Sequence, residues 1–409
     1  MQTRLSPEFA DTPEGREAEG ILRACVHCGF CTTTCPTYQL LGDELDGPRG
    51  RIYQIKQVLE GAEATRTTQL HLDRCLTCRS CETTCPSGVE YGRLLEIGRR
   101  VVDAQVPRQA GDRLKRTALE HGLRSPLFGP ALRMGRSVRG LLPEVLRDKL
   151  APPHDPGAWP TREHARKVLL LAGCVQPAMA PNISAATARV LDALGVQPLV
   201  APAAGCCGAV ALHLGDHATA LADMRRSIDA WWPYVEGAQV EAVVVDASAC
   251  GLMVKDYARE FANDPAYADK ARRIAACARD PVEFLGAQSG ALAQLLRSRP
   301  AERLAWHPPC TLQHGQRLGG KVEALMRELG FELQLPADSH LCCGSAGTYS
   351  VLQPQIAEQL RDNKVDRLQQ LQPQRVLSAN IGCIHHLQAG TEVPVQHWLE
   401  FLDEALRGV

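Results

Sequence analysis

Hydrophobic positions follow two rhythms along the 409 residues, and the change of rhythm divides the chain. In the first hundred residues they recur at helical spacing. Ile52, Ile55, Val58 and Leu59 predict a helix running on from Arg51. Shorter helices are predicted over Glu17–Arg23 and Thr67–Leu72, and a longer one over Gly92–Val106. From about residue 166 the apolar residues gather instead into short runs: Val168–Val175 (VLLLAGCV), Ala242–Gly251 (AVVVDASACG), Leu304–Cys310 (LAWHPPC) and Arg375–Cys383 (RVLSANIGC). Runs this short and this rich in Val, Leu and Ile read as buried strands. Helical stretches lie between them, at Ser184–Leu194, Asp216–Trp232, Lys321–Leu329 and Pro354–Leu371. Strand and helix alternating in this way predict α/β layers with parallel sheets.

The second half is a repeat. Cys174, Cys206 and Cys207 recur 136 residues later as Cys310, Cys342 and Cys343, and Cys250 recurs 133 later as Cys383. A duplication of fixed period predicts two similar lobes facing each other. The fold class expected is α+β: an all-helical N-terminal domain, then two duplicated α/β lobes. The boundaries expected are 1–100 for the helical domain, 101–165 for a basic helical connector and proline-rich linker, 166–290 for the first lobe and 291–409 for the second.

Cysteine changes the picture most, because the 17 cysteines are clustered. Cys25, Cys28, Cys31 and Cys35 precede Pro36, and Cys75, Cys78, Cys81 and Cys85 precede Pro86. Each run is C-x2-C-x2-C-x3-C-P, the spacing that binds [4Fe–4S] clusters in two-cluster ferredoxins. Three thiolates two residues apart can curl round one cubane. The fourth cannot reach it and serves the other. Two [4Fe–4S] clusters are therefore expected, one on Cys25, Cys28, Cys31 and Cys85, the other on Cys75, Cys78, Cys81 and Cys35. The proline fixes φ and turns the chain away. Zinc sites use pairs of C-x2-C rather than this run, and disulfides between such close cysteines would be strained. Helices, not the strands of a small βαβ ferredoxin, flank these loops.

Other compositional signals exclude more than they assign. The formal net charge of −1 gives no global attraction to nucleic acid. No apolar leader stands at the N-terminus, and no apolar run approaches the roughly 18 residues that span a bilayer. Residues 99–149 carry 12 Arg and Lys against 5 Asp and Glu, a net +7, interleaved with Leu114, Ala118, Leu132, Val138, Leu141, Leu142 and Leu146. Solvated connecting helices are the expectation here, and a basic amphipathic surface for a partner or lipid headgroups is the alternative. Residues 151–164 read as a linker. There is no G-x-G-x-x-G and no G-x4-G-K-[ST], so no nucleotide-binding fingerprint. A chain with two clusters and no hydride chemistry of its own moves electrons for a partner.

In each lobe the single, paired and late cysteines fall at strand ends or turns, where the carboxyl edge of a parallel sheet gathers them. Gly208 and Gly344 follow the cysteine pairs and permit the positive φ that aims both sulfurs at one point. This is the CCG pattern of heterodisulfide-reductase-type subunits. Its fullest form ends in C-x2-C and supplies five thiolates. Here Ala247 and Asn380 stand where the first cysteine of that pair would be. Each set of four, Cys174, Cys206, Cys207 and Cys250 or Cys310, Cys342, Cys343 and Cys383, is thus open to a third cluster or other metal, to redox-active thiols, or to a structural role. Lone Cys277 reads as a small buried hydrophobe. For His307, His314, His340, His385 and His386 the expectation is structural hydrogen bonding.

The strings RACVHCGFCTTTCPTYQLLGDELDGPRGRIY, HLDRCLTCRSCETTCPSGVEYG, HLCCGSAGTYS and SANIGC together resemble the iron–sulfur subunits of bacterial glycolate oxidases, from about Leu22 onward. That resemblance implies a complex with FAD-binding flavoprotein subunits that oxidises glycolate to glyoxylate and passes electrons to a quinone-type acceptor. It implies a cytoplasmic chain peripheral on the inner face of the inner membrane. Substrate-binding residues would lie on the flavin subunits, leaving no catalytic residue here. The alternatives are an iron–sulfur subunit for lactate or glycerol-3-phosphate oxidation, and a redox sensor or scaffold without enzymatic partners.

Overall fold

The computed structural model describes residues 1–137 and 154–408. No strand occurs before Arg166 among the described residues. Helices Pro13–Ala24, Pro48–Leu59, Arg66–Asp73 and Tyr91–Gln105 surround a core of Leu22, Ile52, Ile55, Leu59, Leu72, Leu94 and Leu95. Each such side chain withdrawn from water stabilises the fold by about 1.5–3 kcal/mol. Local signals set the ends. Thr12 accepts the Gly15 N–H, Pro13 opens the first of these helices, and Thr65 and Thr68 form a reciprocal capping box. A Cβ on Gly98 would lie 2.6 Å from Ile55 Cγ1, so only glycine lets the second and fourth of these helices approach so closely.

Several arginines of the basic stretch are cross-linked to carboxylates. After helix Tyr91–Gln105, Arg108 pairs with Asp73 at 2.7 Å and Asp103 at 2.8 Å, and Arg116 also reaches Asp73. Helix Ala110–Arg124 ends with Arg124 on the buried Asp223 of the first lobe, 2.6 Å away. These three arginines fasten the connector to the helices before it and to the first lobe. Leu114 is exposed. Val138, Leu141, Leu142 and Leu146 lie outside the described residues. Residues 154–164 carry no regular secondary structure, as a linker should.

Two four-stranded parallel sheets follow. The first holds β1 (Arg166–Leu170), β2 (Val196–Leu199), β3 (Val243–Val244) and β4 (Ala278–Arg279), in the order β2-β1-β3-β4. The second holds β5 (Leu304–Trp306), β6 (Leu333–Gln334), β7 (Arg375–Ser378) and β8 (Val395–His397), in the matching order β6-β5-β7-β8. The four edge strands are short and carry little apolar signal, and the sequence pattern did not predict them.

Both faces of each sheet are buried, which is why its central strands read as unbroken apolar runs. The strand period of two assigns the faces. Val168, Leu170 and Val244 point into a core shared with Leu304, Trp306 and Leu377 of the other lobe. Leu169, Leu171, Val243 and Val245 point into the first lobe's own core, with Cys207. Ala305 and Val376 point into a second-lobe core that Ala180 and Ile183 of the first lobe join, with Cys343 and Cys383. Polar bonds tie the lobes together: Arg189 to Asp403 at 2.8 Å, and Ser248 Oγ to Thr311 Oγ1 at 2.8 Å.

Candidate metal centres

The two ferredoxin-type loops have the same backbone at an offset of 50 residues. His27 and Thr77 have φ of 58° and 53°, and Gly29 and Arg79 have φ of 85° and 58°. Two left-handed residues bend each loop so that three sulfurs face inward. Arg79 holds this conformation without glycine's freedom, and its guanidinium is anchored on Asp256 of the first lobe at 2.8 Å. Short helical turns, Phe30–Thr34 and Ser80–Thr84, then carry each chain to its fourth cysteine. Pro36 opens helix Pro36–Leu41 and so leads the chain away.

Cys25, Cys28, Cys31 and Cys85 line one cavity, and Cys81 lines it too. Cys35, Cys75, Cys78 and Cys81 line a second. The fourth cysteine of each run thus lies with the three of the other. The cavities differ in setting. Cys28 is exposed and is flanked by the exposed side chains of Val26 and Phe30. Cys75, Cys78 and Cys81 are buried, and Cys78 packs with Leu76, Tyr349 and Cys342 of the second lobe.

Burial pushes the Cys31 thiol up to about 11, helped by neighbouring Cys25. Burial likewise raises Cys78 and Cys81 well above the ordinary thiol range. Thiols gathered this closely cannot all ionise without a cation between them, so metal binding and thiol deprotonation are coupled.

Sequence reading quoted the GDELDGPRGR string but missed what it builds. Arg51 and Asp46 are fully buried beside the second cavity. Arg51 donates to His71 O at 2.7 Å and Thr37 Oγ1 at 3.1 Å, and pairs with Asp46 at 3.3 Å. Asp46 also takes His71 Nδ1 at 3.0 Å and Arg74 at 2.8 Å. Burial opposes the Arg51 charge, but Cys75, Tyr91, Cys35 and Asp46 around it keep the guanidinium firmly protonated. The cation is thus fixed where a thiolate-bound cluster would place negative charge. The signal for it was an Asp and an Arg five apart between turn glycines.

In the lobes the cysteines converge as expected, though Cys250 and Cys383 sit in the first turns of helices Ser248–Glu260 and Ile381–Gln388. Gly208 and Gly344 both have φ of 92°. In the first lobe the neighbouring Cys174 and Cys207 thiols, with the Gly208 and Val210 amides, lower the pKa of Cys206, which is the thiol most easily ionised there. In the second lobe Cys310 Sγ lies 3.9 Å from Cys342 Sγ, and Asn380 Nδ2 is 3.6 Å from Cys383 Sγ. His314 and His386 are structural: His314 bridges Thr83 Oγ1 and His340 O at 2.8 Å each, and His386 reaches Ala357 O. Cys277 ends helix Ala268–Cys277 and packs on the first lobe's core.

A helical pair of ferredoxin-type cysteine loops, joined to a duplicated cysteine-rich α/β module, defines the two-lobed iron–sulfur electron carriers. The 4Fe-4S dicluster domain family matches residues 21–89, and the cysteine-rich domain family matches residues 168–255 and 304–388. The glycolate oxidase iron–sulfur subunit of Escherichia coli (strain K12) is 52% identical over 408 residues, 99% of each chain. A probable glycolate oxidase iron–sulfur subunit of Bacillus subtilis (strain 168) is 28% identical over 92% of this chain and 90% of its own. Lactate utilization protein A of Geobacillus thermodenitrificans is 29% identical over 58% of this chain and 98% of its own. The chain belongs to the family of glycolate oxidase iron–sulfur subunits. No helix among the described residues is long and apolar enough to cross a membrane.

Proposed function

We propose that this chain carries electrons within a flavin-dependent glycolate dehydrogenase, from FAD-binding subunits that oxidise glycolate to glyoxylate toward a quinone-type acceptor. The end-to-end 52% identity to the Escherichia coli subunit carries this reading. Cys25, Cys28, Cys31 and Cys85 hold one [4Fe–4S] cluster, and Cys75, Cys78, Cys81 and Cys35 hold the other. Residues 1–100 form the cluster domain, 101–165 connect it, and 166–290 and 291–409 are the two lobes. The complex sits at the cytoplasmic face of the inner membrane, held there through partners.

Oxidising an alcohol to an aldehyde releases two electrons, and a [4Fe–4S] cluster stores one at a time. Two stops in series suit that stoichiometry. Exposed Cys28, with Val26 and Phe30 beside it, offers a surface on which a donor can dock close to the first site. Cys81 lines both cavities, which are therefore adjacent. Arg51 favours the reduced, more negative state of the second site.

The test is reconstitution. The flavoprotein subunits should oxidise glycolate with an artificial dye, and reduce a water-soluble quinone only when this chain is added with its clusters. Quinone reduction at the same rate without the chain would overturn the reading. The likeness to lactate utilization protein A makes lactate the second substrate to try, and a lactate-only complex would replace glycolate in this proposal.

A further inference from the structure

The two lobes share a topology, but their cysteine edges are not equivalent. Leu171 stands three residues before Cys174, and His307 three residues before Cys310. Both side chains fall on the same face of their strands as Leu169 and Ala305, the face that carries the late cysteines. In the first lobe that position is an apolar side chain. In the second it is an imidazole, 1% exposed, in the midst of an apolar core.

The hydrogen bonds of His307 fix its tautomer. Ser378 Oγ donates its single proton to His307 O at 3.0 Å. The same Oγ lies 3.0 Å from His307 Nδ1, and must therefore accept there. Nδ1 carries the ring proton, and Nε2 is left with a bare lone pair. That Nε2 finds no hydrogen-bond partner among the described residues. A buried acceptor without a partner is unfavourable. A ring nitrogen of His307 and the Sγ atoms of Cys343 and Cys383 lie within 4.8 Å of one another, all in buried residues, and Nε2 is the nitrogen left without a partner.

We propose that the second lobe binds one zinc-type divalent ion through His307 Nε2, Cys343 Sγ and Cys383 Sγ. Tetrahedral zinc with bonds of about 2.0–2.3 Å separates its ligand atoms by roughly 3.3–3.8 Å, which these side chains reach by small rotations. An imidazole held by a hydroxyl through its other nitrogen is the usual posture of a metal ligand. Charge supports the choice. Two thiolates and a neutral imidazole make Zn²⁺ formally neutral, so the loaded site carries no net charge into the core formed by Ala305, Val376, Ile384 and Leu387. Binding releases the two thiol protons to solvent and involves no change of oxidation state. The fourth tetrahedral position stays open to a small exogenous ligand. The first lobe, with Leu171 in place of the imidazole, does not bind the ion in this way.

The test is metal analysis and zinc-edge X-ray absorption on the full chain purified anaerobically with its clusters, after growth with zinc and iron. About one zinc per chain is expected beside the cluster iron, in a shell of two sulfurs near 2.3 Å and one imidazole nitrogen near 2.0 Å. His307→Ala should lower zinc at least tenfold while iron is unchanged, and Cys207→Ser in the first lobe should leave zinc in place. Ser378→Ala should retain the protein's iron but weaken zinc retention against a chelator. Wild-type protein that takes up no zinc overturns the proposal. So does zinc retained in His307→Ala with an unchanged spectrum. An all-sulfur shell in the wild type, which zinc lodged in the ferredoxin-type loops would give, overturns it too, even where the alanine variant fails to fold.

Discussion

Thr83 Oγ1 lies 2.8 Å from His314 Nδ1, and this contact joins the second ferredoxin-type loop to the second lobe, 231 residues on. His314 Nε2 is 2.8 Å from the His340 carbonyl, which can only accept, so Nε2 bears a proton, and Thr83 Oγ1 also reaches the Ser80 carbonyl at 3.0 Å. Burial lowers the His314 pKa and so favours the neutral ring. Thr83→Val should cost about 1 kcal/mol of stability. With His314→Ala, a double-mutant cycle measured by denaturant unfolding should show a coupling of similar size. Additive single effects would mean that the bond does not hold the two domains together.

The crossed ligation proposed for the two clusters predicts an unusual pattern of damage. Cys35→Ser should remove the cluster of Cys75, Cys78 and Cys81 and spare that of its own sequence neighbours. Cys85→Ser should do the reverse. Electron paramagnetic resonance of the reduced proteins, with each signal assigned separately, reads the outcome. Loss of the Cys25, Cys28 and Cys31 signal in Cys35→Ser would rule out the crossing.

Arg51 is the only cation whose side chain is fully buried beside the second cavity among the described residues. Its replacement by methionine keeps length and removes charge. Reduction adds an electron to an already negative centre, so the missing cation should shift the second site's midpoint potential in the negative direction. The first site, which Arg51 does not line, should move much less. A redox titration followed by spectroscopy distinguishes the two. Equal shifts would show that the substitution disturbs the fold as a whole.

Gly344 has φ of 92°, and a Cβ there would meet Ala357 O at 2.5 Å. Gly344→Ala should therefore cost about 3 kcal/mol or more, combining left-handed strain with a clash against backbone that cannot move aside. Gly290, in helix Ser289–Leu295, meets nothing within 4 Å, and Gly290→Ala should instead stabilise by about 0.5–1 kcal/mol. Thermal unfolding of both variants should move the melting temperature in opposite directions.

By itself the sequence determined what depends on local spacing. The cysteine runs with their prolines marked the two loops, because a cubane imposes its own short spacing on the chain. The 136-residue repeat of the cysteines and the apolar runs before them marked the two lobes and their central strands, because buried parallel strands need apolar side chains on both faces. Helix periodicity found Pro48–Leu59 and Tyr91–Gln105 to within a few residues. Tertiary structure decided whatever depends on distant partners. The edge strands β2, β4, β6 and β8 exist because a neighbouring strand pairs with them, and a run of two to four residues has no periodicity to read. The arginines of the basic stretch gave only a charge count, and their carboxylate partners, Asp73 and Asp223, lie far away in sequence. His307 was one histidine among several near the second-lobe cysteines. Its lone pair acquired a direction only when β7 brought Ser378 to one ring nitrogen and the helix after it brought Cys383 toward the other.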